Sequence, residues 1–271
     1  MQLGIEHHTE YAYSVPTAFA VQYVRLSPRE DPCQRTLRWE VAVPGQATLW
    51  RDQFGNLVHC VVQTDNRDRL DIRVSGEVDT AETHGVVPLG TGGLPPAAYL
   101  RGTALTRVDE RIRDFAAPYA KFRTRGDLSA LHALMSGIHE TLAYAQGETH
   151  VHSSASEVLA QGTGVCQDHA HLFIACCRAW GIPARYVSGY LHTTAEDGRH
   201  LATHAWAEAL VEHLGWVSFD PSNRQSATQA YVRLAVAFDY QGAAPVRGMR
   251  LGGGHEDMNI RVWVEQMMAD Q

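Results

Sequence analysis

Nowhere in this 271-residue chain do about 18 apolar residues run together, as a membrane-crossing helix needs. The opening stretch MQLGIEHHTEYAYSVP has no basic segment leading into an apolar one, so no secretory leader is read there and a cytoplasmic location is expected. Cysteine is scarce. Cys33, Cys60, Cys166, Cys176 and Cys177 are too few and too irregularly spaced for a disulfide framework, and an odd number leaves one unpaired, which fits a reducing compartment. Clusters of Lys and Arg are absent and the net charge is −7, which argues against a nucleic-acid surface. What remains is 45% hydrophobic and 20% charged, ordinary for a globular protein with one large domain or two smaller ones.

Residues 1 to about 80 read as β structure. Alternating or apolar runs occur at Ile5 to Tyr13, Ala18 to Leu26, Thr36 to Val43, Leu57 to Val62 and Leu70 to Val78, separated by Pro, Gly and Asn turn signals. That pattern predicts a small antiparallel sandwich or barrel over residues 1–84, with scaffolding or substrate docking as its default role. His7 and His8 are adjacent in a strand and point to opposite faces, so both are read as ordinary strand residues. Gly85 to Pro96 is rich in glycine and proline and marks a domain boundary, which leaves 97–271 as a second domain. Helical spacing follows at Val108 to Ala117 and Leu128 to Ala145, with Asp127 as an N-cap candidate for the latter.

The second domain is organised around GTGVCQDHAHLFIACCRAWGIPARYVSGYL, from Gly162 to Leu191. A Gly-Thr-Gly turn leads into Cys166, an apolar helical run extends to about Trp180, and Gly181-Ile182-Pro183 ends it. Cys166 is therefore expected in the first helical turn, where free backbone N–H groups and the partial positive charge favour a thiolate. The two glycines are expected to leave room for a substrate. Cys176 and Cys177 lie further along and read as packing residues. Strands are predicted at Ala184 to Leu191, His204 to Val211 and Gly215 to Asp220, with a turn at Glu196-Asp197-Gly198 between the first two. Helix first and antiparallel strands after it give an α+β core. If the strands are hairpin neighbours packed on the helix start, Cys166, His204 and Asp220 can meet as nucleophile, base and orienting acid.

Four blocks of this sequence resemble the bacterial transglutaminase-like superfamily: Gly164 to His171, Gly181 to Tyr190, His204 to Glu208, and Gly215 to Asn223. The likeness extends to the N-terminal β domain of those bacterial proteins, through His8 to Ser14 and Arg25 to Arg29, and to Phe238-Asp239-Tyr240 and Pro245 to Gly248. It implies a transglutaminase/papain-like core in which an antiparallel sheet packs on the helix that carries the nucleophile. By motif position it also assigns nucleophile, base and acid to Cys166, His204 and Asp220. This chain departs from the pattern in having Phe238 where relatives carry arginine, and Ser222 where they carry threonine.

The expected chemistry is attack on an amide, a thioester intermediate, and transfer of the acyl group to water or to an amine. That describes a transglutaminase-like cysteine protease or amidase, with a cross-linking protein-glutamine gamma-glutamyltransferase as the alternative and a non-catalytic binding module as the third reading. Trp206, Tyr144 and Gln167 are candidates for substrate-binding or oxyanion contacts, and the Cys166 backbone N–H is the first oxyanion donor. Trp206 is expected to wall the site and Trp216 to be core. Asp168 is expected to bond nearby backbone. Cys166, His169, His171 and Cys176 do not share one helix face well enough for zinc, and no Asp-x-Asp loop for calcium is present, so no metal or other cofactor is expected. The expected partner is a peptide, protein or amide-linked small-molecule substrate, and the resemblance adds a link to ligases of the ATP-grasp type.

Overall fold

Inward and outward side chains alternate along the first strand, β1 (Gln2–Val24), so that Leu3, Ile5, His7, Thr9, Tyr11 and Tyr13 are all buried on one face. These residues belong to a computed structural model that describes residues 1–89, 93–125, 127–193 and 203–267. Periodicity predicts two strands here, but β1 runs unbroken through Pro16. Its first half pairs β5 (Arg67–Thr80), its second half pairs β4 (Leu57–Gln63), and the β5 register shifts between Ala12 and Thr17. Pro16 sits within that irregularity, where a missing N–H costs no ladder bond. With β2 (Gln34–Ala42) and β3 (Gln46–Arg51) the order across this antiparallel sheet is β2-β5-β1-β4-β3.

The segment expected to be a linker contributes β6 (Val86–Val87), which pairs with the second sheet. Helices α1 (Glu110–Ala120) and α2 (Asp127–Thr141) follow, and Asp127 is the first residue of α2, where it holds Arg123 at 2.7 Å. Next come β7 (Ala143–Tyr144), α3 (Ala155–Gln161), β8 (Thr163–Gly164) and α4 (Cys166–Ala179). Strands β9 (Ala184–Leu191), β10 (Thr203–Val211), β11 (Gly215–Phe219) and β12 (Tyr231–Ala237) complete an antiparallel sheet of order β12-β9-β10-β11-β6. The turn predicted at Glu196-Asp197-Gly198 lies outside the described residues. After α5 (Tyr240–Ala243), β13 (Val246–Gly252) and β14 (Glu256–Gln266) return to the first sheet and pair with the two halves of β1. Residues 246–266 therefore pair with the N-terminal sheet, although the boundary at 97 assigns them to the second domain. A 23-residue strand offers enough edge for a further hairpin.

Almost every residue of β9 and β12 is buried, because both strands are covered on two faces. On one side lies α4, buried from Gln167 to Arg178. On the other lies the first sheet, whose core of Leu3, Ile5, Tyr11, Leu70 and Ile72 takes in Tyr190, Val232 and Leu234 of the second. Among the described residues no helix is long and apolar enough to cross a membrane.

Strand β12 is an edge strand, and side-chain amides from the first sheet cover its outer backbone groups. Gln34 accepts from Arg233 N–H and donates to its carbonyl, both at 2.8 Å. Asn56 does the same for Val236, again at 2.8 Å in both directions. Each amide stands in for a missing strand. Asn56 is fully buried, so Asn56→Ala orphans two buried backbone groups; it is expected to lower stability by about 3 kcal/mol in urea unfolding. A loss under about 0.5 kcal/mol would show that water replaces the amide.

Candidate active site

Two glycines set the geometry ahead of Cys166, and neither does so by clearing space for a ligand. Gly162 adopts φ +77 at the C-terminus of α3, the left-handed conformation that favours glycine. At Gly164 a Cβ would lie 2.7 Å from the Asp168 side chain, so glycine is needed for Asp168 to fold back on the helix start. Asp168 Oδ2 accepts from the Val165 N–H at 2.9 Å and from the Thr149 hydroxyl at 2.7 Å, the backbone role expected for it. Parallel pairing of β7 with β8 sets Tyr144 opposite Gly164, beside the cysteine.

Cys166 begins α4 and is partly exposed. His204 comes from β10 and Asp220 from the residue after β11, and the strands are neighbours in the sheet. The imidazole Nε2 lies 2.6 Å from Asp220 Oδ2, and His204 and Cys166 line the same side of one cavity, close enough for the sulfur to act on the imidazole's charge. Burial works against a charge on His204, but its interactions with Asp220 and Cys166 outweigh that and raise it to about 10. Burial likewise opposes ionisation of Asp220, yet the His204 bond and charge, then Ser222 and Tyr231, hold its carboxyl down to about 2. At neutral pH these two form an imidazolium–carboxylate pair.

Asp220 is fully buried, and every lone pair it offers has a donor. Oδ1 accepts from Ser222 N–H at 3.1 Å, the Ser222 hydroxyl at 2.6 Å and Asn223 N–H at 3.2 Å, the Asx-turn geometry of an Asp-Pro-Ser-Asn run. Oδ2 takes the Asn223 amide and the Tyr231 hydroxyl, each at 2.7 Å, besides His204. Gln225 in turn donates to Tyr231 at 2.8 Å. Neither Tyr231 nor Gln225 is legible as a site residue from sequence, because neither belongs to a chemical motif.

Trp206 corrects an expectation. It is fully buried and forms the plane behind His204, with ring centroids 6.1 Å apart and 23° between planes, rather than a wall of the cavity. Tyr231 meets it edge-on at 5.2 Å. Gly189 makes this stacking fit: a Cβ there would lie 2.1 Å from the Val232 carbonyl and 2.7 Å from the indole. Trp216 is core, as expected, with the Arg185 guanidinium 4.1 Å over its ring. Tyr144 is half-exposed, and burial of its hydroxyl followed by the charge of Cys166 raises its phenol to about 12. Its hydroxyl lies close enough to Cys166 to be influenced by both its side chain and its backbone, the group expected to be an oxyanion donor. Gln167 faces the cavity beside Cys166.

That cavity, about 240 Å³, lies between the two sheets. Cys166, Gln167 and His204 form one side, and Thr9, Tyr11 and Ile260 of the N-terminal sheet form the other. His7 also reaches it, so the reading of His7 as an ordinary strand residue misses a site position. Its Nδ1 lies 2.8 Å from the Tyr190 hydroxyl and its Nε2 2.7 Å from the Thr9 hydroxyl, and burial lowers its imidazole to about 4. Strand alternation is the signal that finds these residues: positions 7, 9 and 11 share the inward face.

Among the described residues no metal set converges on α4. His169 faces the Val165 and Leu142 carbonyls, and His171 Nε2 accepts from the Tyr240 N–H at 3.1 Å. Among the described residues the group with ligand-like proximity is His8, Glu10 and Asp71, on the opposite face of β1 from His7. There His8 bonds Asp71 at 2.7 Å and Glu10 pairs with Arg69 at 3.2 Å.

Residues 115–221 match the transglutaminase-like superfamily, and residues 3–79 match the bacterial transglutaminase-like N-terminal region. An uncharacterised protein of Mycobacterium leprae is 30% identical over 98% of this chain and 99% of its own. One of Mycobacterium tuberculosis is 30% identical over 90% of this chain and 86% of its own. Among solved structures, a proposed cysteine protease from Cytophaga hutchinsonii superposes with a TM-score of 0.78 at 22% identity, covering 100% of this chain and 92% of that one, which establishes a shared fold. Both the N-terminal β region and the helix-on-sheet core are thus accounted for, and the chain belongs to the bacterial transglutaminase-like superfamily.

Proposed function

We propose that this protein is a cysteine-dependent acyl-transfer enzyme acting on amide bonds, most simply as a transglutaminase-like protease or amidase. One observation carries this reading: His204 bonds Asp220 at 2.6 Å through one ring nitrogen and lines one cavity with Cys166 at the start of a helix. Sulfur attacks the amide carbonyl carbon, and the C–S bond forms as His204 passes its proton to the departing nitrogen and the C–N bond breaks. Water or an amine then attacks the thioester, His204 takes its proton, and the C–S bond breaks to restore Cys166. Cross-linking differs only in the acceptor, which pocket shape and water access decide. Burial of Trp206, Tyr231 and Asp220 favours a rigid site in which the imidazole keeps one orientation.

Selective alkylation tests the reading. Cys176 and Cys177 are fully buried and burial pushes their thiols up, as it does for Cys33. Mass spectrometry after brief iodoacetamide treatment is expected to find Cys166 modified at least tenfold faster than any of the other four. Equal labelling of all five would remove the basis for an activated thiol. Incubation with a peptide library then assigns the acceptor: deamidation or backbone cleavage supports hydrolysis, and amine incorporation supports transfer.

A further inference from the structure

The far wall of the cavity is a two-strand ladder that belongs to neither the cysteine helix nor its sheet. Thr9 and Tyr11 of β1 stand opposite Ile260 and Met258 of β14 in register, and all four face Cys166 across the cavity. Met258 and Ile260 are 57% and 44% exposed, unusual for apolar side chains at a pocket rim, and Val246 and Tyr240 continue the same surface. Among the described residues no Asp, Glu, Lys or Arg lines this cavity. Three of its polar side chains are already paired within the protein: the Thr9 hydroxyl with His7, His7 with Tyr190, and the Ser188 hydroxyl with the Ala243 carbonyl at 2.7 Å. An ion seated against Thr9, Tyr11, Val246, Met258 and Ile260 would lose water and find no partner of opposite charge on that wall. An apolar group would lose nothing and cover exposed side chains. At about 240 Å³ the cavity is smaller than the roughly 300–1,000 Å³ of pockets for whole drug-sized ligands, so it suits one substituent of a larger molecule.

We infer that the acyl donor carries an uncharged, apolar substituent next to the reacting carbonyl, and that Met258 and Ile260 select it. This rests on the acyl-transfer reading of Cys166. The N-terminal sheet and its C-terminal hairpin thereby act as the specificity wall for a nucleophile carried by the other half of the molecule. This gives β14 a reason to return to β1.

The test uses N-substituted chloroacetamides of similar length bearing benzyl, isobutyl, carboxymethyl or aminoethyl groups. Each alkylates a thiolate with loss of chloride, and the second-order rate at Cys166 is read by mass spectrometry. Benzyl and isobutyl reagents are expected to react at least about tenfold faster than the two charged ones. Met258→Ala and Ile260→Ala are each expected to remove most of that preference, and Ile260→Lys to turn it toward the carboxymethyl reagent. Leu251→Ala, on the same sheet but outside the cavity, should leave the ranking as it is. Each rate is divided by that of unsubstituted iodoacetamide, too small to reach the wall, so that any change in the thiol itself is removed from the ranking. Leu251→Ala should react with iodoacetamide at the wild-type rate. Equal rates for the four reagents, or a ranking unmoved by the Met258 and Ile260 changes, would overturn the inference while leaving the thiol mechanism intact. Failure of Cys166 to outpace the other cysteines with iodoacetamide would instead overturn the mechanism itself.

Discussion

Replacing His204 with alanine is expected to lower turnover of any amide substrate by roughly 10³–10⁴-fold while the protein still folds. The imidazole bonds Asp220 and lines the cavity with Cys166, and among the described cavity residues the other histidine, His7, is engaged by Tyr190 and Thr9. Asp220→Asn is expected to cost a similar amount, since it removes the charge that holds the imidazole protonated. It also changes the pH dependence of stability. His204 is raised from 6.5 to about 10, so its pairing contributes fully below pH 6.5 and is lost as pH rises through about 10. Asp220 is lowered from 3.8 to about 2, so its contribution is present above pH 3.8 and lost as pH falls through about 2. The gap in melting temperature between wild type and Asp220→Asn should therefore be widest from about pH 4 to pH 6.5 and close toward either extreme. A constant gap at all pH values would mean that the ion pair contributes no proton-linked stability.

Glu208→Ala is expected to cost about 3–5 kcal/mol, the largest single loss of stability foreseen here. Glu208 is fully buried on β10 and accepts from Arg185 at 2.7 Å and from Arg233 at 2.8 and 3.0 Å. Arg233 extends the network to Asp31 of the N-terminal sheet, so removing the glutamate strands two buried guanidinium groups where the halves of the molecule meet. Burial opposes ionisation of Glu208, but the charges of Arg233 and Arg185 outweigh it and hold the carboxyl at about 2, down from 4.5. The stability it lends is present above pH 4.5 and lost as pH falls through about 2. Urea unfolding at pH 7 measures the loss, and Glu208→Gln should flatten the acid limb of the stability profile. A change below about 1 kcal/mol would show that Asp31 and solvent compensate for the missing carboxylate.

The half that carries Cys166, His204 and Asp220 was the more legible part because its signals are local. A glycine turn before a helix start, strands at Ala184–Leu191 and Gly215–Phe219, and an Asp at a strand end are each written in a few adjacent residues. Their meeting point needed the sheet order, which motif resemblance supplied. The N-terminal half was legible as β structure but not as topology. Nothing near Pro16 signals that one strand continues through it, and β13 and β14 pair with residues more than 200 positions earlier. Strand β12 was missed because it is buried on both faces, so YVRLAVA has no alternation to betray it. For the same reason the cavity's far wall could not be read from sequence: it depends on register between chain ends, where a one-residue slip would turn Met258 and Ile260 away.

Trapping the covalent intermediate tests the central claim most directly. An activated acyl donor with an apolar substituent, such as a phenylpropionyl p-nitrophenyl ester, is mixed with the protein, quenched in acid within milliseconds to seconds, and digested for mass spectrometry. The acyl mass is expected on the peptide containing Cys166, removable by hydroxylamine, absent in Cys166→Ala and formed far more slowly in His204→Ala. Acylation confined to other residues, or formed at the same rate without His204, would contradict it.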